Sequence, residues 1–181
     1  MTIQFTLRES DLLEYQLYVA SQTEIVRKRR LRTRLLIPIM YFFLSFFGFL
    51  TNKAVMSIVF IVVAILWYFL YPIRDRKRHI KYYQQFIQEH FRERIGNKVE
   101  LILSLESLET KEIASESKYA LSEVEHIVEL KTTILIRLKG NKAFILPKDQ
   151  ITQPNELNTI LQQIAKKASV TFDQFPEWEF K

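Results

Sequence analysis

The chain contains no cysteine. Disulfide frameworks, thiolate zinc sites and cysteine nucleophiles are excluded, and the redox compartment is left open. Only three glycines and five prolines are spread over 181 residues. Long flexible linkers and glycine-rich phosphate loops have no material to be built from, so most of the chain is expected in regular structure. Neither a GxSxG nor an HExxH-like element occurs. A further absence is the most informative: residues 35–50 (LLIPIMYFFLSFFGFL) and 54–71 (AVMSIVFIVVAILWYFLY) hold no charged side chain.

At a rise of ~1.5 Å per residue, these runs form helices of about 24 and 27 Å, slightly short of a ~30 Å hydrocarbon core. Snorkelling basic flanks and local thinning close that gap. So many apolar residues with no polar face would find nothing to cover them in a soluble domain of this size. A signal peptide is disfavoured because the first run begins at residue 35 and leads into a second run. The connection Thr51-Asn52-Lys53 makes the helices antiparallel neighbours. Ser45 and Ser57 are the polar side chains of the spans apart from Tyr and Trp, and no ionisable group lies at mid-depth, which argues against a transport pathway. Pro38 is expected as a tolerated kink and Gly48 as a point of close packing.

The charge of +6 is unevenly placed. Residues 1–34 carry seven Lys/Arg against four Asp/Glu, residues 72–98 eight against three, and residues 99–181 ten against thirteen. A nucleic-acid-binding domain would show the opposite distribution, so no nucleic-acid partner is expected. Arg27, Lys28, Arg29, Arg30, Arg32 and Arg34 flank one run, and Arg74, Arg76, Lys77 and Arg78 the other, against Lys53 alone in the turn. The positive-inside bias then places both termini in the cytoplasm of a cell-membrane protein, with Trp67, Tyr68 and Tyr71 at the interface. These thirteen residues are the expected membrane-interface anchors. They would attract anionic lipid headgroups without selectivity.

The expected organisation has four parts. Residues 1–34 form a cytoplasmic strand (IQFTL) and a juxtamembrane helix from about Ser10 to Val26 that continues into the first span. Residues 35–71 form the transmembrane hairpin. Residues 72–98 form an amphipathic helix that begins after an exit at Pro72, carries His79, Tyr82, Tyr83, Phe86, Ile87, His90, Phe91 and Ile95 on one face, and is capped by Gly96-Asn97. From residue 99 the apolar period becomes two. Strands are expected at 99–106, 107–113, 117–121, within EHIVEL, at 132–138 and in KAFIL, with a hairpin turn at Lys139-Gly140-Asn141-Lys142.

A last helix has Pro154 near its start, Glu156 in its first turn, Lys166 and Lys167 in its last, and an apolar stripe of Leu157, Ile160, Leu161, Ile164, Ala165 and Ala168. The fold class is thus an α+β membrane protein: a two-helix transmembrane hairpin with a small antiparallel β domain capped by a C-terminal helix. About five strands closed by one helix give the outline of a pleckstrin-homology-like (PH-like) domain, among other α+β folds.

The stretch SESKYALSEVEHIVELKTTILIRLKGNKAFILPKDQI, preceded by a membrane hairpin and a strand-helix, resembles the YcxB-like family of bacterial membrane proteins. Tyr119, Val124, Ile127, Ile145, Leu146, Pro147 and Lys148 match the family pattern, and Leu121 stands where the family shows tryptophan. The resemblance implies a PH-like cytoplasmic domain on a two-span anchor. It implies no catalytic residues.

Glu109, Glu112, Glu116, Glu123, Glu125 and Glu129 alternate with core positions as a solvated sheet face would. His126 is expected to be exposed, with Val124 and Ile127 turned inward. His90 with Glu89 or Glu93 makes only a two-ligand set, so neither a metal nor a cofactor is expected. The function expected is that of a membrane-anchored, cytoplasm-facing binding or regulatory module without catalytic activity. The alternatives are an accessory subunit or immunity/inhibitor protein of a membrane machine, and a membrane-surface enzyme using His79, His90 or His126. A protein partner fits the first reading, and nothing in the sequence specifies its identity or an oligomeric state.

Overall fold

The computed structural model describes residues 1–112 and 115–180. In chain order the elements are β1 (Thr2–Thr6), α1 (Glu9–Gln22), α2 (Glu24–Leu50), α3 (Ala54–His90), β2 (Lys98–Leu103), β3 (Ser107–Glu112), β4 (Ser115–Ala120), β5 (Val124–Glu129), β6 (Thr133–Leu138), β7 (Lys142–Pro147), α4 (Pro154–Ala168) and β8 (Phe172–Gln174). The chain divides into two compact units, one of residues 1–16 and 83–179 and one of residues 17–82 with 180–181.

The first unit is α+β. One sheet has the order β1-β2-β3-β4 and the other β7-β6-β5-β8, with every pairing antiparallel except β5 with β8. The strand expected near the N-terminus does not stand apart: Ile3 faces Leu101 and Phe5 faces Val99 in the β1–β2 register. Both β1 side chains enter a core with Leu103, Leu108, Ile127, Ile136 and Leu146. The α4 stripe completes that core through Leu157, Leu161, Ile164 and Ala165. Each such Leu or Ile, fully buried, contributes about 1.5–3 kcal/mol relative to exposure.

Local chemistry fixes the joints. Gly140 and Asn141 both have positive φ, at 74° and 61°, within the three-residue loop 139–141 that brings Leu138 opposite Lys142. The α4 helix has Pro154 in its first turn and ends at Ser169, whose φ of 57° is left-handed. The amide of Val170 closes that end on the Ala165 carbonyl at 2.9 Å. The Gln150 side chain acts as a short extra strand segment beside β1: it accepts from the Thr6 amide at 2.8 Å and donates to the Thr6 carbonyl at 2.9 Å.

Arg8 begins α1. Its Nε donates to the buried Asp11 carboxylate at 3.1 Å, and Nη1 and Nη2 fork onto Asp149 at 2.8 and 2.7 Å. Hydrogen bonding from Arg8 holds the Asp149 carboxyl below its ordinary range. A folded value below the unfolded one means a contribution to stability that is full above the unfolded carboxylate pKa, about 3.9, and is lost as pH falls through the folded value. Arg8→Ala is expected to move the Asp149 titration up to the ordinary range, read by carboxyl-carbon NMR. An unmoved titration would contradict this pairing.

The second unit is built on α2 and α3, which are long and apolar enough to cross a bilayer, with 6% of the apolar window of each buried. They are joined by Thr51-Asn52-Lys53, with Asn52 at φ 57° and the Lys53 amide donating to the Gly48 carbonyl at 2.9 Å. Facing residues advance along one helix as they recede along the other: Gly48 meets Ser57, the rings of Tyr41 and Phe60 lie 6.0 Å apart, the Arg34 guanidinium lies over Tyr68, and Arg30 pairs with Asp75. A Cβ on Gly48 would run into the Ser57 hydroxyl. Small residues thus set a close seam, as helices in lipid favour.

Two expectations about these helices are corrected. The helix expected to run unbroken into the first span is interrupted at Thr23, which is extended (φ −77°, ψ 116°). The Thr23 hydroxyl donates to the Val19 carbonyl at 3.0 Å and the Ser21 hydroxyl to that of Tyr18 at 2.7 Å, side-chain bonds that compete with helix continuation. Pro72, expected as an exit, lies inside α3, which continues to His90. Proline deprives the Tyr68 carbonyl of a donor without ending the helix.

Candidate functional site

The thirteen expected anchors differ in exposure. Arg27, Lys28, Arg29, Arg32, Arg74, Arg76, Lys77 and Arg78 are exposed along the two basic segments, and so is Tyr68. Lys28 is tied to Glu24 one turn back at 2.7 Å, which leaves the segment basic but less so than its composition suggests. Arg30, Arg34, Trp67 and Tyr71 are half-buried instead. The Trp67 ring stacks on Tyr71 at 5.6 Å, and the Arg34 guanidinium carbon sits 4.2 Å from the Tyr68 ring centroid.

These inward residues lead to one that the sequence reading overlooked. Asp75 is the lone acid in RDRKRH, residues 74–79. Its side chain is 8% exposed and accepts from Arg30 Nε at 2.5 Å and from the Tyr71 hydroxyl at 3.3 Å. His79 Nδ1 lies 3.4 Å from the same carboxylate and 2.9 Å from the Asp75 carbonyl. A carbonyl only accepts, so Nδ1 carries the proton. Phe180 closes the group from one side, its ring 4.8 Å from the Arg30 guanidinium carbon and 5.8 Å from the His79 ring.

The signal for Asp75 was present: Tyr71, Asp75 and His79 are spaced by four and share one helix face. Chemically, the cluster holds an acid, an imidazole and a phenol, but the carboxylate is committed to a guanidinium. The geometry is that of an ion-paired clamp between α2 and α3 at the basic end of the hairpin.

A second cluster lies along the outer edge of β5. His126, expected to be exposed, has a side chain only 25% exposed and both ring nitrogens engaged. Nδ1 lies 2.7 Å from the Thr171 hydroxyl, and Nε2 faces the Asp173 carboxylate at 3.2 Å. On the other face of the strand, Gln174 donates to Glu129 at 2.8 Å, and Lys148 donates to Glu129 at 2.6 Å and to the Leu130 carbonyl at 3.3 Å. His90 is exposed and stacks on Phe86 at 4.4 Å, with Nδ1 3.1 Å from the Phe86 carbonyl. Among the described residues no group of three or more His, Cys, Asp or Glu is arranged to hold a metal ion.

The residues that carry the family resemblance are structural. Val124 and Ile127 point inward as expected, and Ile145, Leu146 and Pro147 are buried with them. Tyr119 packs edge-on against Phe144 at 5.6 Å beneath the Lys142 ammonium, and Lys148 ties the end of β7 to β5 through Glu129. Leu121, at the tryptophan position, is 7% exposed in the same core, so the departure keeps the site apolar. Residues 103–164 match the family model described as YcxB-like protein, the family the sequence resembles. The match runs from the last residue of β2 to Ile164 in α4. No curated protein and no solved structure matches the chain.

Proposed function

We propose that the chain is a membrane-anchored binding or regulatory module without catalytic activity, its α2–α3 hairpin spanning the cell membrane with both termini in the cytoplasm. The observation that carries this reading is the hairpin itself: two uncharged runs whose large apolar side chains face outward, closed at one end by a three-residue turn and bordered at the other by two basic segments. Phe42, Phe43, Phe46, Phe47, Val55 and Phe69 project from it with no covering protein, which lipid chains would supply. A shallow concavity of about 480 Å³ between Met40, Phe43, Phe47 and Leu50 on α2 is of the same apolar kind. The basic residues would meet anionic headgroups at about 1 kcal/mol each close to the surface.

The strand-bearing unit supports a PH-like reading by its order. A four-stranded meander (β1 to β4), a three-stranded meander (β5 to β7) and then α4 is the sequence of elements of a PH-like domain, here with the helical hairpin inserted between its first and second strands. That is an argument from fold, and it favours protein or peptide binding only by analogy.

Two measurements test the proposal. A reporter fused after Lys181 is expected to be active only in the cytoplasm, and the protein is expected to stay in the membrane pellet through an alkaline carbonate wash. A reporter active outside the cell, or release by carbonate, would overturn the orientation or the span. Co-purification in mild detergent is expected to recover the same partner reproducibly, and recovery of none would sink the binding reading.

A further inference from the structure

The β5–β8 pairing is the one parallel contact among the described strands, and β8 is three residues long. It does little for the core beyond one ring: Phe172 packs against it, while Thr171 and Gln174 are exposed. Its ladder spans three residue pairs, and at its two ends the Ile127 amide donates to the Thr171 carbonyl at 3.1 Å and the Phe175 amide to the Glu129 carbonyl at 2.7 Å. Yet the side-chain recognition around it is specific. In the neutral His126 ring, Nδ1 accepts from the Thr171 hydroxyl while Nε2–H donates to the Asp173 carboxylate, so one imidazole reads a hydroxyl and an acid two positions apart. Glu129 reads the amide of Gln174 on the opposite face.

We propose that the β5 edge is a docking site for an extended peptide that adds a parallel strand, and that residues 171–175 occupy it as the chain's own competing ligand. The partner is a segment with a hydroxyl side chain, then an aromatic, then an acid, the pattern of Thr171-Phe172-Asp173. His126 selects the first and third positions and the apolar space beside Ile127 takes the second. Strand addition to a sheet edge draws affinity from main-chain hydrogen bonds and specificity from alternate side chains, and both are laid out here. The inference rests on the reading of the chain as a binding module and names the class of partner for it.

The test uses the full chain in lipid nanodiscs and a fluorescent peptide of sequence SVTFDQFPEWE, residues 169–179. A tethered segment competes at an effective concentration on the order of millimolar, so binding to the natural chain is expected to be weak. Asp173→Ala in the chain weakens the internal competitor alone and is expected to raise peptide affinity about tenfold, one charge-assisted hydrogen bond's worth. His126→Ala added to that variant is expected to remove the gain.

Because the chain has no cysteine, the paired positions Glu129 and Gln174 can both be changed to cysteine and joined by oxidation. The oxidised double variant is expected to bind no peptide and the same protein after reduction to bind it. Equal binding before and after reduction, or no binding above a scrambled peptide in Asp173→Ala, would overturn the inference. If a co-purifying partner persisted equally on the oxidised protein, the binding-module reading would stand and the β5 edge would not be its site.

Discussion

Replacing Asp75 with alanine is expected to cost the α2–α3 hairpin about 3–5 kcal/mol, the range for removing one partner from a buried ion pair. The cost comes mainly from what stays behind. Arg30, 22% exposed, keeps its charge but loses this acceptor at 2.5 Å, and Tyr71 loses an acceptor too. Attraction lost with the pair itself is the smaller part, because desolvation had already offset much of it. Asp75→Asn keeps the shape and an acceptor for Tyr71, so a smaller loss is expected.

The double change Arg30→Met with Asp75→Leu removes both charges and is expected to recover most of the loss, which separates an electrostatic imbalance from a packing defect. Helical circular dichroism across an SDS titration in mixed micelles reads all three variants. Unfolding of Asp75→Ala at the same SDS fraction as the natural chain would show that the pair does not hold the hairpin.

The sequence announced this hairpin and hid its clamp for one reason. Long uncharged runs are a composition signal that survives any arrangement of neighbours, so residues 35–50 and 54–71 read plainly. Asp75 matters through Arg30, forty-five positions away, and a local window sees only an acid among bases. The same division runs through the sheets. Alternation in VELIL and ILIRL, the turn at Gly140-Asn141 and the stripe of α4 are local, and each appears where its pattern lies.

What pairs with what is not local. Nothing in IQFTL names Val99 and Leu101 as its partners across the whole hairpin, and nothing in FDQ names β5. The break at Thr23 and the continuity at Pro72 went against expectation because propensity weighs single residues. There, two hydroxyl back-bonds and the helical flanks decided the outcome. His126 escaped for the same reason as Asp75: its partners, Thr171 and Asp173, are far along the chain.

The pairing hidden most completely gives the largest expected effect. Substituting Phe5 with aspartate is expected to unfold the strand-bearing unit, although Phe5 lies more than ninety residues from β2. Phe5 is 6% exposed, in the core with Val99 and Leu101, and truncating a buried phenylalanine alone costs about 3–5 kcal/mol. A carboxylate in that place adds the cost of an unpaired charge, several kcal/mol more, against a whole-domain stability of about 5–15 kcal/mol. Gln4→Asp is the control, since Gln4 is exposed on the same strand and should change little.

Hydrogen exchange of the β2 and β6 amides reads the difference: protection is expected to vanish in Phe5→Asp and to persist in Gln4→Asp. If β6 stayed protected while only β1 and β2 were lost, the segment from β3 onward would be a folding unit in its own right. The N-terminal strand would then be an addition to the sheet, and the helical hairpin would follow the domain's accessory strand instead of interrupting its core.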